Sequence, residues 1–176
     1  MNTELKMKLD HGQRLDHADG LELLSGAVPL GELMQYGYQA RLRHNPENVV
    51  TFVYDSNPNY TNVCVTKCEF CAFWRSDKSK DAYTLSPQAL AARVATAAQA
   101  GATTVLLQGG HNPDCSLDDW MAYIEAIQST SPDIHIHPFS PPEIAFLADQ
   151  EGRSSRSILE RIVAAGIRTM PGGGAE

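Results

Sequence analysis

Apolar and polar positions along this chain follow two rhythms, and the chain changes repeatedly from one to the other. Asn48 to Tyr54 (N-V-V-T-F-V-Y) is an almost unbroken β-branched and aromatic run, which predicts a buried parallel strand. From Ser86 the spacing becomes helical. Ser86 is of N-cap type, Pro87 suits the first helical position, Leu90, Val94, Ala97 and Ala98 make a stripe, and Gly101 supplies a left-handed stop. Thr103 to Leu107 predicts a second strand. Ser116 then caps a helix with Leu117, Met121, Ile124 and Ile127 inward and Asp118 and Asp119 at the positive end of its dipole. Ile134 to Pro138 reads as a third, short strand, followed by helices over 142–149 and 157–165, the latter with Ile158, Leu159, Ile162 and Val163 inward. Ile167 to Met170 predicts a fourth strand. Ahead of the first strand, residues 1–17 read as a frayed polar start. Helices are expected over 19–27 and from Pro29 to about His44, where Leu30, Leu33, Met34, Tyr38 and Leu42 fall at helical spacing. The order β-α-β-α-β-α-β requires parallel strands and crossover helices, hence an α/β fold. The organisation expected is an N-terminal helical segment over 1–47 and a partial barrel over 48–176.

Composition narrows the function. With 43% hydrophobic residues in 176, the chain can build a sizeable core. The net charge of −7 comes without a basic cluster, which excludes nucleic acid as an expected partner. No apolar run approaches the roughly 18 residues of a bilayer span, and the first ten residues lack the apolar centre of a signal peptide. No membrane partner and a cytoplasmic location are therefore expected. The chain closes on P-G-G-G-A-E, a loop of a kind that normally leads into a helix, so it reads as the N-terminal part of something longer.

The chemistry is concentrated in Asn62–Arg75, N-V-C-V-T-K-C-E-F-C-A-F-W-R. Cys64, Cys68 and Cys71 lie in the spacing CxxxCxxC, with Phe70 before the third. Three thiolates on one loop can hold three irons of a 4Fe–4S cubane and leave the fourth iron open for chemistry. A structural zinc site would need a fourth ligand, and Cys115 is the only further cysteine to offer one; more plainly it is a buried free thiol. A disulfide framework fits neither the size nor the cysteine density. Three further unusual segments, 108–114, 139–143 and 172–176, also follow predicted strands, and in a parallel barrel such loops gather on one face. Gly109-Gly110 would let backbone approach a ligand, or simply turn the chain. His135 and His137 alternate with isoleucines and share one strand face, as bases, as metal ligands or as satisfied core histidines. Gly172–Gly174 would cradle an anion or provide a flexible turn, and Trp74 and Trp120 read as packing residues.

Together the loops C-x-x-x-C-E-F-C-A-F-W-R, L-L-Q-G-G, I-H-I-H-P-F-S-P-P-E-I and M-P-G-G-G-A-E resemble, in order and spacing, the radical S-adenosylmethionine (SAM) enzymes of the futalosine route to menaquinone, above all its cyclising branch. Aminodeoxyfutalosine synthases and the deazaflavin (FO) synthases share subsets of these segments. The resemblance implies the N-terminal part of a radical SAM TIM-type barrel, about four parallel strands of it. It implies a 4Fe–4S cluster on Cys64, Cys68 and Cys71. SAM would lie with its adenine near Phe70, Ala72 and Phe73 and its amino group near Gln108, Gly109 and Gly110. A substrate-side acid or base is expected among His137, Ser140 and Glu143. The implied reaction is radical cyclisation of dehypoxanthinyl futalosine, a small nucleoside-like substrate, with electrons from a reduced flavodoxin- or ferredoxin-type donor. The segment after the second strand lacks the acidic residue of the commonest family version. Outside this class, a closed four-cysteine metal protein or an inert fragment would share the cysteines without the catalysis.

Overall fold

The computed structural model describes residues 1–47 and 49–172. They form two compact units, Met1–Phe52 and Val53–Glu176.

The first unit holds three helices. Residues expected to fray form α1 (Thr3–His11): the Asn2 side chain accepts from Leu5 N, and Gly12, at φ 64°, closes the helix in the left-handed conformation. Leu5 is fully buried. These capping residues, rather than a long apolar stripe, define the helix. Helix α2 (His17–Leu24) opens on a reciprocal capping box between Asp16 and Asp19, and α3 (Leu30–His44) follows Pro29. The expected α3 stripe is helical in spacing but not covered: Leu30, Met34 and Tyr38 stand exposed.

The second unit is a three-stranded parallel sheet in the order β1-β2-β3, with β1 at Asp55–Ser56, β2 at Thr104–Leu107 and β3 at His135–Pro138. Helix α4 (Pro87–Gln99) connects the first two strands and α5 (Leu117–Thr130) the second and third; α6 (Pro141–Gln150) and α7 (Ser155–Ala164) follow. Strand one corrects the expectation. Val49, Val50, Phe52, Val53 and Tyr54 are exposed rather than buried, and Asn48 lies outside the described residues. The register explains this. Asp55 pairs with Thr104, so every earlier residue runs past the start of its partner strand; only the Tyr54 carbonyl still accepts from Thr103 N and Thr104 N.

Along β2 and β3 burial alternates with the side-chain period of two. Val105, Leu107 and Ile136 turn into a core with Leu90 and Val94 of α4, Trp120, Ile124 and Ile127 of α5, Ile144 and Leu147 of α6, and Ile158 and Ile162 of α7. Val163, expected inward, is exposed. Thr104, Leu106, His135 and His137 occupy the opposite face, which stays accessible, with Thr104 paired to His135 and Leu106 to His137. The predicted fourth strand does not form a ladder among the described residues, although Thr169 lies beside the β3 histidines. Of the terminal glycine loop, residues 173–176 lie outside the described residues.

Candidate active site

The loops after the three strands meet, as parallel strands require. The first, 57–86, carries the cysteines and is pinned at its base. Cys64 N donates to the Arg75 carbonyl (3.1 Å) and Arg75 N donates to the Asn62 carbonyl (2.7 Å), which closes the cysteine segment on itself. The Arg75 guanidinium then turns back over the loop, donating through Nη1 to the carbonyls of Ala72 (3.1 Å) and Trp74 (2.9 Å). Its Nε holds Asp81, whose carboxyl the guanidinium keeps below the usual carboxylate range. Beneath this lies a buried polar network. Asn112 Nδ2 donates to the Thr84 hydroxyl (2.9 Å), Thr61 Oγ1 to the Tyr83 carbonyl (2.8 Å) and Asn62 Nδ2 to the Asp81 carbonyl (2.9 Å). Satisfied networks of this kind fix one arrangement of a loop.

The second loop packs against the first at backbone distance. A Cβ on Gly110 would fall 2.2 Å from the Val63 carbonyl oxygen, and one on Gly109 would fall 2.5 Å from the Tyr60 ring. The paired glycines are therefore dictated by close approach of protein to protein, which is neither the ligand contact nor the plain turn expected from sequence. Gly110 N donates to the Thr61 carbonyl (3.0 Å), and Val65 N to the His111 carbonyl (3.0 Å). His111 stacks on Phe146 (4.8 Å between centroids, 11° between planes), and its Nδ1 lies 2.6 Å from the Thr66 hydroxyl. Burial lowers its pKa.

The third loop reaches the same place through Ser140 and Glu143 at the start of α6. Phe139 precedes them at φ 52°, fully buried and stacked on Trp120 at 3.8 Å. Glu143, 3% exposed, takes four donors. Oε1 accepts from Tyr60 Oη (2.9 Å) and Gly109 N (3.0 Å), while Oε2 accepts from Ser140 N and Ser140 Oγ (2.7 Å each). Burial raises this carboxyl, and the four donors pull it back.

These loops enclose a cavity of about 550 Å³. Cys64, Cys68, Cys71, Phe70, Phe73, Gln108, Gly109, Gly110, Ser140 and Glu143, all singled out from sequence, line it. So do Asn59, Thr61, Asn62, Trp74 and His111, which sequence reading did not assign to a site. The run N-Y-T-N before the first cysteine, polar where a strand has just ended, was the available signal. Ala72 and His137 are not among the lining residues. Ala72 enters through its carbonyl alone, and His137 sits on the accessible sheet face, its Nδ1 2.7 Å from the Thr169 hydroxyl, which also meets His135 Nε2 at 2.9 Å. Burial and the neighbouring His135 lower the His137 pKa. Cys115 is buried in the core beside Tyr123, away from the other three thiols, and burial pushes it up to about 11. Among the described residues no three His, Cys, Asp or Glu side chains converge as on a single metal ion. A cubane asks less convergence, because each thiolate binds a different iron.

Three thiols on a pinned loop, facing a Gly-Gly segment across one cavity at the C-terminal ends of parallel strands, define a cofactor-dependent α/β active site. The radical SAM superfamily model matches residues 58–173, and the chain belongs to that superfamily. It is 38% identical over 162 residues to a 5-amino-6-(D-ribitylamino)uracil–L-tyrosine 4-hydroxyphenyl transferase of Methanopyrus kandleri, covering 92% of this chain and 44% of the relative. It is 35% identical over 166 residues to a cyclic dehypoxanthine futalosine synthase of Halalkalibacterium halodurans, covering 94% and 45%. Among solved structures, the [FeFe]-hydrogenase maturase HydG shares the fold at a TM-score of 0.51 and 13% identity, over 98% of this chain and 49% of HydG. The chain thus spans about half the length of each of these three proteins. Superfamily members are enzymes that use a 4Fe–4S cluster and SAM, and the donor set lining the cavity, three thiols of one loop, has the chemistry to hold such a cluster. No described helix is long and apolar enough to cross a membrane.

Proposed function

We propose that this chain carries the cluster- and SAM-binding part of an enzyme that closes a ring in dehypoxanthinyl futalosine by radical chemistry. The observation that supports it most is the shared cavity of Cys64, Cys68, Cys71 and the Gln108–Gly110 segment. When bound, the cluster supplies the electron that splits SAM into methionine and a 5′-deoxyadenosyl radical. The remaining work belongs to the protein. Cys64, Cys68 and Cys71 would hold three irons of the cluster, which leaves the fourth without a protein ligand. The N–H groups of Gly109 and Gly110 are taken by Glu143 and by the Thr61 carbonyl, and the Gly110 carbonyl accepts from Asn112 N, so what this segment has left to offer an ammonium group is carbonyl acceptor capacity, that of Gly109 foremost. Phe70 and Phe73, both exposed at the cavity, offer flat apolar surfaces to an adenine. Arg75 binds the Ala72 and Trp74 carbonyls and so fixes the path of the chain on either side of Phe73. On the substrate side, His137, whose pKa burial and the neighbouring His135 lower, offers an imidazole that can accept a proton, and Ser140 is the second candidate.

A second reading, 4-hydroxyphenyl transfer from tyrosine to a ribitylaminouracil, is favoured by the Methanopyrus relative and by a 41% identity over 127 residues to an FO synthase of Mycobacterium leprae, over 72% of this chain and 15% of that protein. Anaerobic incubation of the reconstituted protein with SAM and a reductant separates the two. Cyclisation predicts 5′-deoxyadenosine formed in step with a cyclic product from dehypoxanthinyl futalosine, and none with tyrosine plus 5-amino-6-ribitylaminouracil. The opposite pattern selects the transferase, and deoxyadenosine with neither substrate sinks both.

A further inference from the structure

Glu143 joins the segments that follow all three strands. It binds Tyr60 after β1, Gly109 after β2 and Ser140 after β3, every bond at 3.0 Å or less. We propose that Glu143 is a positioning residue that fixes the Gly109–Gly110 backbone against the ligand held beside the thiols, and is not the acid or base of the reaction. The proposal rests on the reading of that cavity as the SAM site.

Three observations carry it. First, an ionised carboxylate has about four acceptor positions, and four donors already fill them. A proton exchanged with substrate would have to displace one of these donors inside a side chain that is 3% exposed. Second, the bonds form a closed triangle. The Tyr60 ring packs where a Cβ on Gly109 would lie, its hydroxyl donates to Oε1, and Gly109 N donates to the same oxygen. The glycine segment is thus located by both a contact and a bond from the same ring. Third, Gly110 is held one residue on by the Thr61 carbonyl, in the strand-to-cysteine segment, so the position of the cysteine loop and that of the glycines are set together.

The discriminating variant is Glu143→Gln, which keeps the volume. Each carboxylate oxygen faces one backbone N–H, from Gly109 or from Ser140. Whichever way the amide lies, its NH2 group therefore meets a backbone donor. Tyr60→Phe is milder, since it removes one donor and keeps the ring under Gly109. Both variants are reconstituted as the full chain, and SAM affinity is measured by anaerobic equilibrium dialysis alongside iron content. The expected result is wild-type iron content with SAM bound about tenfold more weakly in E143Q, a difference of one decade in Kd, and a smaller loss of the same sign in Y60F. The pH dependence of SAM cleavage should keep its wild-type shape. SAM affinity unchanged in both variants overturns the proposal, and so does the loss of a limb of the pH profile in E143Q. If E143Q does not take up iron, Y60F decides alone: weakened SAM binding supports the proposal and wild-type affinity overturns it. Wild-type protein that takes up iron and binds no SAM overturns the reading of the cavity itself, and this inference with it.

Discussion

Gly110 and Gly20 show how differently one residue type acts in this chain. A side chain at Gly110 meets the Val63 carbonyl oxygen at 2.2 Å, so G110A must displace the start of the cysteine loop. We expect iron uptake to be lost and the melting temperature to fall. Gly20, inside α2, has nothing within 4 Å, and G20A should stabilise by up to about 1 kcal/mol through helix propensity, read from the urea midpoint. Burial makes His111 another informative position. Its folded pKa is lowered, so as pH falls through its ordinary value of 6.5 the unfolded state takes up the proton first. The stability that depends on neutral His111 is complete above that value and is lost as pH drops toward the folded pKa. His137 adds to the same slope. H111Q should leave the urea midpoint less sensitive to acidification from about pH 7.5 to about pH 5.5. At Cys115, a thiol pushed up to about 11 and buried should resist alkylation at neutral pH, while Cys64, Cys68 and Cys71 in the metal-free chain react. A mass shift of three labels before unfolding and four after checks this.

Among the elements, those with a cap and a stripe were readable in sequence. Ser86 with Pro87, and Ser116 with Asp119, mark α4 and α5 to within a residue, because the cap bonds are local. What failed was whatever depended on a partner. The run 48–54 has the composition of a strand, yet the register with β2 begins at Asp55, and no local pattern encodes where a neighbouring strand starts. The spacing of the three cysteines was legible as a candidate ligand set, and the structure brings all three to one cavity. The network that aims them, with Thr61, Asn62, Thr84 and Asn112 beneath and Arg75 above, was not, since its members are scattered over about fifty positions and have no period. Gly109-Gly110 was visible as a signal, but its cause, the Tyr60 ring and the Val63 carbonyl, is a contact between loops. The core under the site is tested by L90A, where a fully buried leucine becomes alanine; a loss of about 2–5 kcal/mol in denaturant unfolding is expected.

At the scale of the molecule, one face of a parallel sheet is sealed by α4 to α7, and the strand ends and loops carry the chemistry. Glu143 hydrogen-bonds to the segments that follow all three strands. The three cysteines of the first of these segments line the same cavity. C64A, C68A or C71A should each abolish stable cluster uptake, while C115A should leave it intact, because that thiol lies in the core rather than at the cavity. If three thiols hold a cluster in the cavity they share with Gly109 and Gly110, its open iron is within reach of a ligand there. The decisive measurement is electron paramagnetic resonance of the reconstituted, reduced protein, recorded with and without SAM. We predict four irons per chain, as a cubane requires, and a signal whose g values shift when SAM is added. A signal indifferent to SAM, or a cluster that survives in C68A and disappears in C115A, would mean that no open iron faces this cavity.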